Sequence, residues 1–159
     1  GMWLGAHAPE RFRKIAISST AARIEQPELL LKRVESIRQN GLDSIAESVV
    51  GKWFSDAFRA RRPEAVSWAR EMLLETHPEG YARLAETVCR LDLREDLERI
   101  DRPFLILYGD ADEATPPEWS FSLHQKIPNS ELTPLAGAHL VNIEVPEEFT
   151  ALLLRFFGD

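Results

Sequence analysis

Cysteine, long apolar runs and basic residues are all scarce in this sequence of 159 residues. The single cysteine, Cys89, cannot form an internal disulfide, and one free thiol fits the reducing cytoplasm, where we expect the protein to lie. No apolar run approaches the roughly 20 residues that span a bilayer. No apolar stretch follows the early basic residues Arg11, Arg13 and Lys14, as it would in a secretory leader. We therefore expect no membrane partner.

Basic side chains are outnumbered, since 19 Lys and Arg stand against 26 Asp and Glu, for a net charge of −7. This balance argues against nucleic acid as a partner. Three of the four histidines, His7, His77 and His124, have no metal-ligand spacing, and no cysteine completes a zinc pattern. We therefore predict no metal site and expect surface or capping roles for these three. The 44% apolar and 28% charged residues are ordinary for one globular domain.

A short apolar run at residues 104–108 is typical of a strand buried on both faces. The run ends in a turn that carries Asp110 and Asp112, and a helix is expected to open at Thr115 and Pro116. This order places Asp112 just beyond the carboxyl end of a strand. Open α/β sheets bind ligands at that edge.

A second strand is predicted around residues 131–135, followed by a turn of small residues at 136–138 and then by His139. Asp112 and His139 are 27 positions apart, yet both would emerge at the same edge of one parallel sheet. An acid that orients a general base requires this arrangement. The sequence thus predicts a carboxylate–imidazole pair.

From about residue 26 to residue 98 the periodicity changes to three- and four-residue steps, which predicts helices and no strand. Pro27, Pro63 and Pro78 each mark a helix start, and Gly41 breaks the first helix, so four helices are expected. The last of them is predicted to carry Tyr81, Leu84 and Val88. Outside this segment, residues 14–18 predict a strand. Four apolar residues of a C-terminal helix form a stripe for packing on the sheet: Phe149, Leu152, Leu153 and Phe156.

The motif Gly109-x-x-Asp112-x-x-Thr115-Pro116, followed by Gly137-x-His139, resembles the acid and histidine turns of α/β-hydrolases. Further stretches, at residues 3–11, 20–23, 52–54, 77–81, 92–94 and 139–144, are similar to 3-oxoadipate enol-lactonases. The resemblance covers essentially the whole chain but only the second half of such a protein. It implies a partial α/β-hydrolase fold, with the last three sheet strands and flanking helices, plus an all-helical cap. The implied division is core at 1–25, cap at 26–98 and core at 99–159.

The resemblance also implies roles for individual residues. His139 would be the general base that takes a serine proton, and Asp112 would orient it; Asp110 more plausibly bonds backbone amides in its turn. Trp53 and Lys52 would face an anionic lactone, with Lys52 pairing with a carboxylate. Core packing remains the alternative explanation for Trp53. Such enzymes need no cofactor, and those named for 3-oxoadipate act in aromatic catabolism.

No Gly-x-Ser-x-Gly occurs in the 159 residues, so the nucleophile elbow of the family is missing from this sequence. Ser18 and Ser19 do not stand between the glycines that such an elbow needs, and we interpret them as ordinary strand residues. We therefore expect the chain to be inactive alone, because loss of a triad nucleophile costs on the order of 10⁶ in rate. The alternative is a non-catalytic module. It would dimerise through the exposed edge of the strand at 14–18 or complement a separate N-terminal half.

Overall fold

A three-stranded parallel sheet organises the chain in the computed structural model, which describes residues 1–158. The strands are β1 (Ile15–Ser18), β2 (Phe104–Gly109) and β3 (Ser130–Leu135), and they lie side by side in chain order. Every residue of β2 is buried, as expected for a central strand that is covered on both faces. β1 pairs with β2 alone, so one of its edges has no neighbouring strand among the described residues. The predicted partial α/β architecture is confirmed.

Nine α-helices surround or interrupt this sheet within residues 1–158. In chain order they are α1 (Met2–His7), α2 (Pro27–Asn40), α3 (Asp43–Trp53), α4 (Asp56–Arg61), α5 (Pro63–Glu75), α6 (Pro78–Arg90), α7 (Pro117–Lys126), α8 (Val141–Glu144) and α9 (Pro146–Gly158). Two short 3₁₀ turns lie at Pro9–Arg11 and Leu97–Arg99. We call α2 to α6 the helical insert, because they lie in the chain between β1 and β2. None of the helices in the described part of the chain is both long and apolar enough to cross a membrane.

Proline and glycine set the limits of the insert helices. Pro27, Pro63 and Pro78 each stand at the first position of a helix, where the missing N–H has no intrahelical acceptor to lose. Gly41 ends α2 with a φ of 77°, a left-handed conformation that glycine adopts without a Cβ clash. At the two ends of the insert, Arg23 and Asp92 form an isolated antiparallel bridge. The predicted starts at these three prolines are confirmed.

The second predicted helix of the insert is in fact two helices. α3 ends at Trp53, and Phe54 is extended with φ −130° and ψ 142°. Ser55 then caps α4, because its hydroxyl accepts a hydrogen bond from the amide of Phe58. Apolar residues continue at helical spacing through this break, so the spacing alone predicted one helix; Phe54 and Phe58 are both buried and their rings stack. The break lies against the histidine turn, since the amide of Leu140 donates to the carbonyl oxygen of Trp53.

α6 carries Tyr81, Leu84 and Val88 as predicted, but Leu84 is 66% exposed. The buried residues of this helix are Ala82 and Ala85, which let α6 approach α2 closely around Val34. Alanines carry a weaker hydrophobic signal than leucine, so the sequence pattern did not identify this buried face.

Each face of the sheet has its own core. On one face, Ile15, Phe104 and Ile106 pack with Leu123 of α7. On the other face, Leu105 and Leu107 pack against α9 through its predicted stripe, which is confirmed: Phe149, Leu152, Leu153 and Phe156. A third cluster fills the insert, and Leu140 and Ile143 from the segment after β3 pack against it. The insert therefore rests on the segment that follows the last strand.

Candidate active site

The turns after β2 and β3 pack directly on each other. A Cβ added to Gly109 would lie 2.1 Å from the carbonyl oxygen of Ala138 and 2.4 Å from that of Gly137, so only glycine fits between them. The amide of Ala111 donates to the carbonyl oxygen of Gly137 at 2.9 Å. Asp110 adds a second link, since its Oδ1 accepts from the amide of Gly137 at 3.1 Å. Asp110 thus bonds a backbone amide, but that amide belongs to the histidine turn and not to the turn that carries Asp110.

Asp112 is 3% exposed and its carboxylate is surrounded by donors. Its Oδ1 accepts from the amides of Ala114 and Thr115, both at 2.8 Å. Its Oδ2 accepts from the Thr115 hydroxyl at 2.6 Å and lies 2.9 Å from Nδ1 of His139. Burial raises the pKa of the Asp112 carboxyl, but the hydrogen bonds from His139 and Thr115 outweigh that effect and hold the pKa below its usual value. The group is therefore an anion at neutral pH.

His139 presents its two ring nitrogens to different surroundings. Nδ1 faces the Asp112 carboxylate and also lies 3.2 Å from the Thr115 hydroxyl. Because a carboxylate can only accept, Nδ1 carries the proton in this contact, and the neutral ring then has its lone pair on Nε2. Within residues 1–158 no hydrogen bond is made by Nε2. The side chain is 24% exposed, and the ring borders a cavity. A histidine oriented in this way can accept a proton at Nε2.

The cavity beside His139 has a volume of about 430 Å³ and lies between the acid turn and the helical insert. Lys52 and Trp53 both line it, so the structure brings the two insert residues singled out from the sequence to the same space as the histidine. Trp53 also packs on the insert core, as the alternative explanation for this residue requires. Tyr81 and Trp119 supply further aromatic wall. A larger concavity of about 780 Å³ is lined by charged side chains, and neither Asp112 nor His139 borders it.

Sequence reasoning missed two residues here. Arg33 of α2 borders the same cavity and is half-buried, and no ion pair to it occurs in the described part of the chain. In the sequence, the one indication of such a position was that this basic residue stands next to Val34, which is buried in the same helix. Glu144 is a second buried carboxyl, 7% exposed, and an acidic residue in a short apolar stretch before Pro146 was its signal.

No serine of the described chain completes the pair. Ser19 has a φ of 47°, and its Oγ is buried without a hydrogen-bond partner. Neither Ser18 nor Ser19 borders the cavity that His139 lines. Among residues 1–158 there is also no group of three or more His, Cys, Asp or Glu side chains that could hold a metal ion. The arrangement offers an oriented base beside a cavity.

Comparison with known proteins identifies the fold class of this chain. No family model matches the sequence. Among solved structures, the enol-lactonase from Burkholderia xenovorans LB400 superposes with a TM-score of 0.97 and 31% identity, covering 100% of this chain and 61% of that one. A hydrolase from Pseudomonas aeruginosa PA01 gives a TM-score of 0.93, also at 31% identity, covering 100% of this chain and 60% of that one. The chain has, in part, the fold of the α/β-hydrolases.

Within that class, the sequence is related to the 3-oxoadipate enol-lactonases. Enol-lactonase 2 of Acinetobacter baylyi is 33% identical over 160 residues, which are 98% of this chain and 60% of the relative. Enol-lactonase 1 of the same organism is 31% identical over 155 residues, which are 98% of this chain and 58% of the relative. The chain therefore spans about three-fifths of the length of these relatives. The resemblance stated from the motifs is confirmed.

Proposed function

We propose that the chain is the acid- and histidine-bearing part of a lactone or carboxylic ester hydrolase of the 3-oxoadipate enol-lactonase type. The observation that carries the proposal is the 2.9 Å contact between His139 Nδ1 and Asp112 Oδ2, with Nε2 left for the cavity. In this role Asp112 holds the ring in the tautomer that can accept a proton, and stabilises the imidazolium that then forms.

The proposed reaction uses a serine that this sequence does not supply in a Gly-x-Ser-x-Gly elbow. The serine oxygen attacks the lactone carbonyl carbon, and His139 Nε2 takes its proton. Cleavage of the ring C–O bond leaves an acyl-enzyme, and His139 returns the proton to the departing oxygen. Water, activated by the same nitrogen, then hydrolyses the acyl-enzyme. No metal or organic cofactor enters this sequence of steps.

The cavity favours a substrate that carries a negative charge. Two cations, Arg33 and Lys52, border it against one acidic side chain, Glu113, and neither cation has an ion-pair partner in the described residues. A half-buried guanidinium can bind a carboxylate with two parallel hydrogen bonds, whereas an exposed ammonium acts as a screened point charge. We assign Arg33 the larger share of carboxylate binding and Lys52 a smaller one. Trp53 would close the wall between these cations and His139, and the helical insert would serve as a cap that excludes water.

The direct test compares the chain alone with the chain mixed with a nucleophile-bearing partner. The partner is the part of the Acinetobacter baylyi enol-lactonase 2 that this chain does not match. We expect no hydrolysis of 3-oxoadipate enol-lactone above background by the chain alone. In the mixture we expect hydrolysis that His139→Ala abolishes. Hydrolysis by the chain alone would refute the proposed inactivity, and a mixture that hydrolyses equally well with His139→Ala would refute the role of the histidine.

One observation favours a second candidate, a non-catalytic module. β1 has an edge without a partner strand among residues 1–158, and such an edge presents unpaired N–H and C=O groups to another chain. Two copies could pair through it, or a separate N-terminal half could occupy it. Light scattering distinguishes these outcomes: a dimer that Ile17→Pro converts to monomer supports pairing through β1, whereas a stable monomer of the unaltered chain refutes the dimer.

A further inference from the structure

Glu144 is a buried carboxyl group outside the acid–histidine pair. It ends the short helix α8, and it accepts three hydrogen bonds from two different parts of the molecule. Buried carboxylates are costly unless donors surround them, so a retained one requires an explanation. The contact with His139 explains why the Asp112 carboxylate is buried, and the burial of Glu144 requires a different explanation.

Two of the three hydrogen bonds come from the helical insert. The amide of Ser55 donates to Oε1 of Glu144 at 2.9 Å, and the Ser55 hydroxyl donates to Oε2 at 2.5 Å. Ser55 lies in the break between α3 and α4, two residues after Trp53. Glu144 therefore fixes the segment that directly follows the aromatic wall of the cavity.

The third hydrogen bond comes from the histidine turn. The amide of Ala138 donates to Oε1 of Glu144 at 2.8 Å, so one oxygen joins the turn and the insert. On the other side of His139, the amide of Leu140 donates to the carbonyl oxygen of Trp53 at 2.9 Å. The backbone on both sides of the histidine is thus bonded either to the Trp53 segment itself or to the carboxyl group that holds it.

We infer that Glu144 is a positioning residue that keeps the Trp53 segment and His139 in a fixed relation across the cavity. Without its carboxyl group, the Ala138 and Ser55 amides would both lose their acceptor, and the two segments would be joined by the Leu140–Trp53 hydrogen bond and by the apolar packing of Leu140 and Ile143. Hydrogen bonds to an ionised group are short and about twice as strong as neutral ones, which suits a carboxylate to this task. The inference describes how two parts of the chain are held, so it can fail while the proposed hydrolase function stands.

Two substitutions separate this role from simple filling of space. Glu144→Gln keeps the oxygen that accepts both amides, and its NH₂ can donate to the Ser55 hydroxyl, which is able to accept. Glu144→Leu keeps a similar volume but offers no acceptor. The same pair of changes at Glu71 is the control, because this exposed residue of α5 has no ion pair in the described part of the chain.

The measurement is amide hydrogen exchange by NMR, together with the ring signals of His139 and the thermal midpoint of each variant. In Glu144→Leu we expect the amides of Ser55 and Ala138 to exchange about 10-fold faster or more, beyond any change common to all amides. We also expect the Nδ1 proton of His139 to exchange faster, which loss of global stability alone would not cause selectively. Glu144→Gln should restore most of this protection, and the Glu71 variants should resemble the unaltered chain.

Two results would overturn the inference. One is unchanged exchange at Ser55 and Ala138 in a folded Glu144→Leu variant. The other is faster exchange only in proportion to the rest of the chain, with the His139 ring signals unaffected. If Glu144→Leu does not fold, Glu144→Asp provides the second variant: its carboxyl group is one methylene further from the donors, and the inference then requires faster exchange at the Ser55 and Ala138 amides than at the rest of the chain.

Discussion

Replacing Asp112 by asparagine removes a negative charge while leaving the size of the side chain almost unchanged. The amide oxygen can still accept from Ala114 and Thr115, as Oδ1 does now at 2.8 Å. The other position becomes an NH₂ group that cannot accept from His139 Nδ1, so the ring must change tautomer for the 2.9 Å contact to remain a hydrogen bond. The two charge-assisted hydrogen bonds that Oδ2 accepts, from His139 and from the Thr115 hydroxyl, are lost or replaced by weaker neutral ones. We expect a net cost of about 2–3 kcal/mol in the free energy of unfolding at neutral pH.

The pH dependence of that cost gives a sharper test than its size. The folded-state pKa of Asp112 lies below its ordinary value. Its contribution to stability is therefore fully present above the unfolded-state pKa and disappears as the pH falls through the folded-state pKa. Urea unfolding of both chains should show the difference between them narrowing in acid, below about pH 4. A difference that stays constant over this range, or an Asp112→Asn chain as stable as the original at neutral pH, would refute the reasoning.

Three further predictions follow from single contacts. Gly109→Ala should lower the free energy of unfolding, measured by urea titration, by about 3 kcal/mol or more, because the new Cβ would lie 2.1 Å from a backbone carbonyl oxygen of the histidine turn. Near-normal stability of this variant would contradict the close packing of the two turns. Arg33→Gln should weaken the binding of adipate, a dicarboxylate probe, by about 10-fold or more in calorimetry, whereas Lys52→Gln should weaken it less than about fivefold. The reverse order would contradict the larger share of carboxylate binding that we assign to Arg33. Leu84→Lys should change the free energy of unfolding by less than about 0.5 kcal/mol, while Ala82→Leu should cost about 1–3 kcal/mol. Equal effects would contradict the burial of Ala82 and the exposure of Leu84.

The parts of the fold that sequence could predict are those with a local cause. The central strand is a short apolar run, the insert helices begin at prolines, and the stripe on α9 repeats at helical spacing. The two turns were predictable because glycine and acidic residues mark them. Gly109 was part of the motif, and the structure adds the reason for it, a backbone approach that excludes any Cβ.

What the sequence could not predict depends on partners far away in the chain. The break between α3 and α4 is held by Glu144, 89 positions from Ser55, so no local pattern could locate it. The buried face of α6 is set by how closely α2 approaches, and alanines there carry little hydrophobic signal. Arg33 became a candidate only when α2, the acid turn and His139 were placed around one cavity. Each of these three features is determined by packing between residues that are far apart in the sequence.

The measurement that most directly tests the central claim is the tautomer of His139, read from its ring nitrogen signals at a pH where the ring is neutral. We expect the proton on Nδ1, bonded to Asp112, with Nε2 unprotonated and able to accept a proton. In Asp112→Asn the proton should move to Nε2, because the new NH₂ group requires an acceptor at Nδ1. A proton on Nε2 in the unaltered chain, or ring signals that do not respond to the substitution at position 112, would contradict the acid–base assignment.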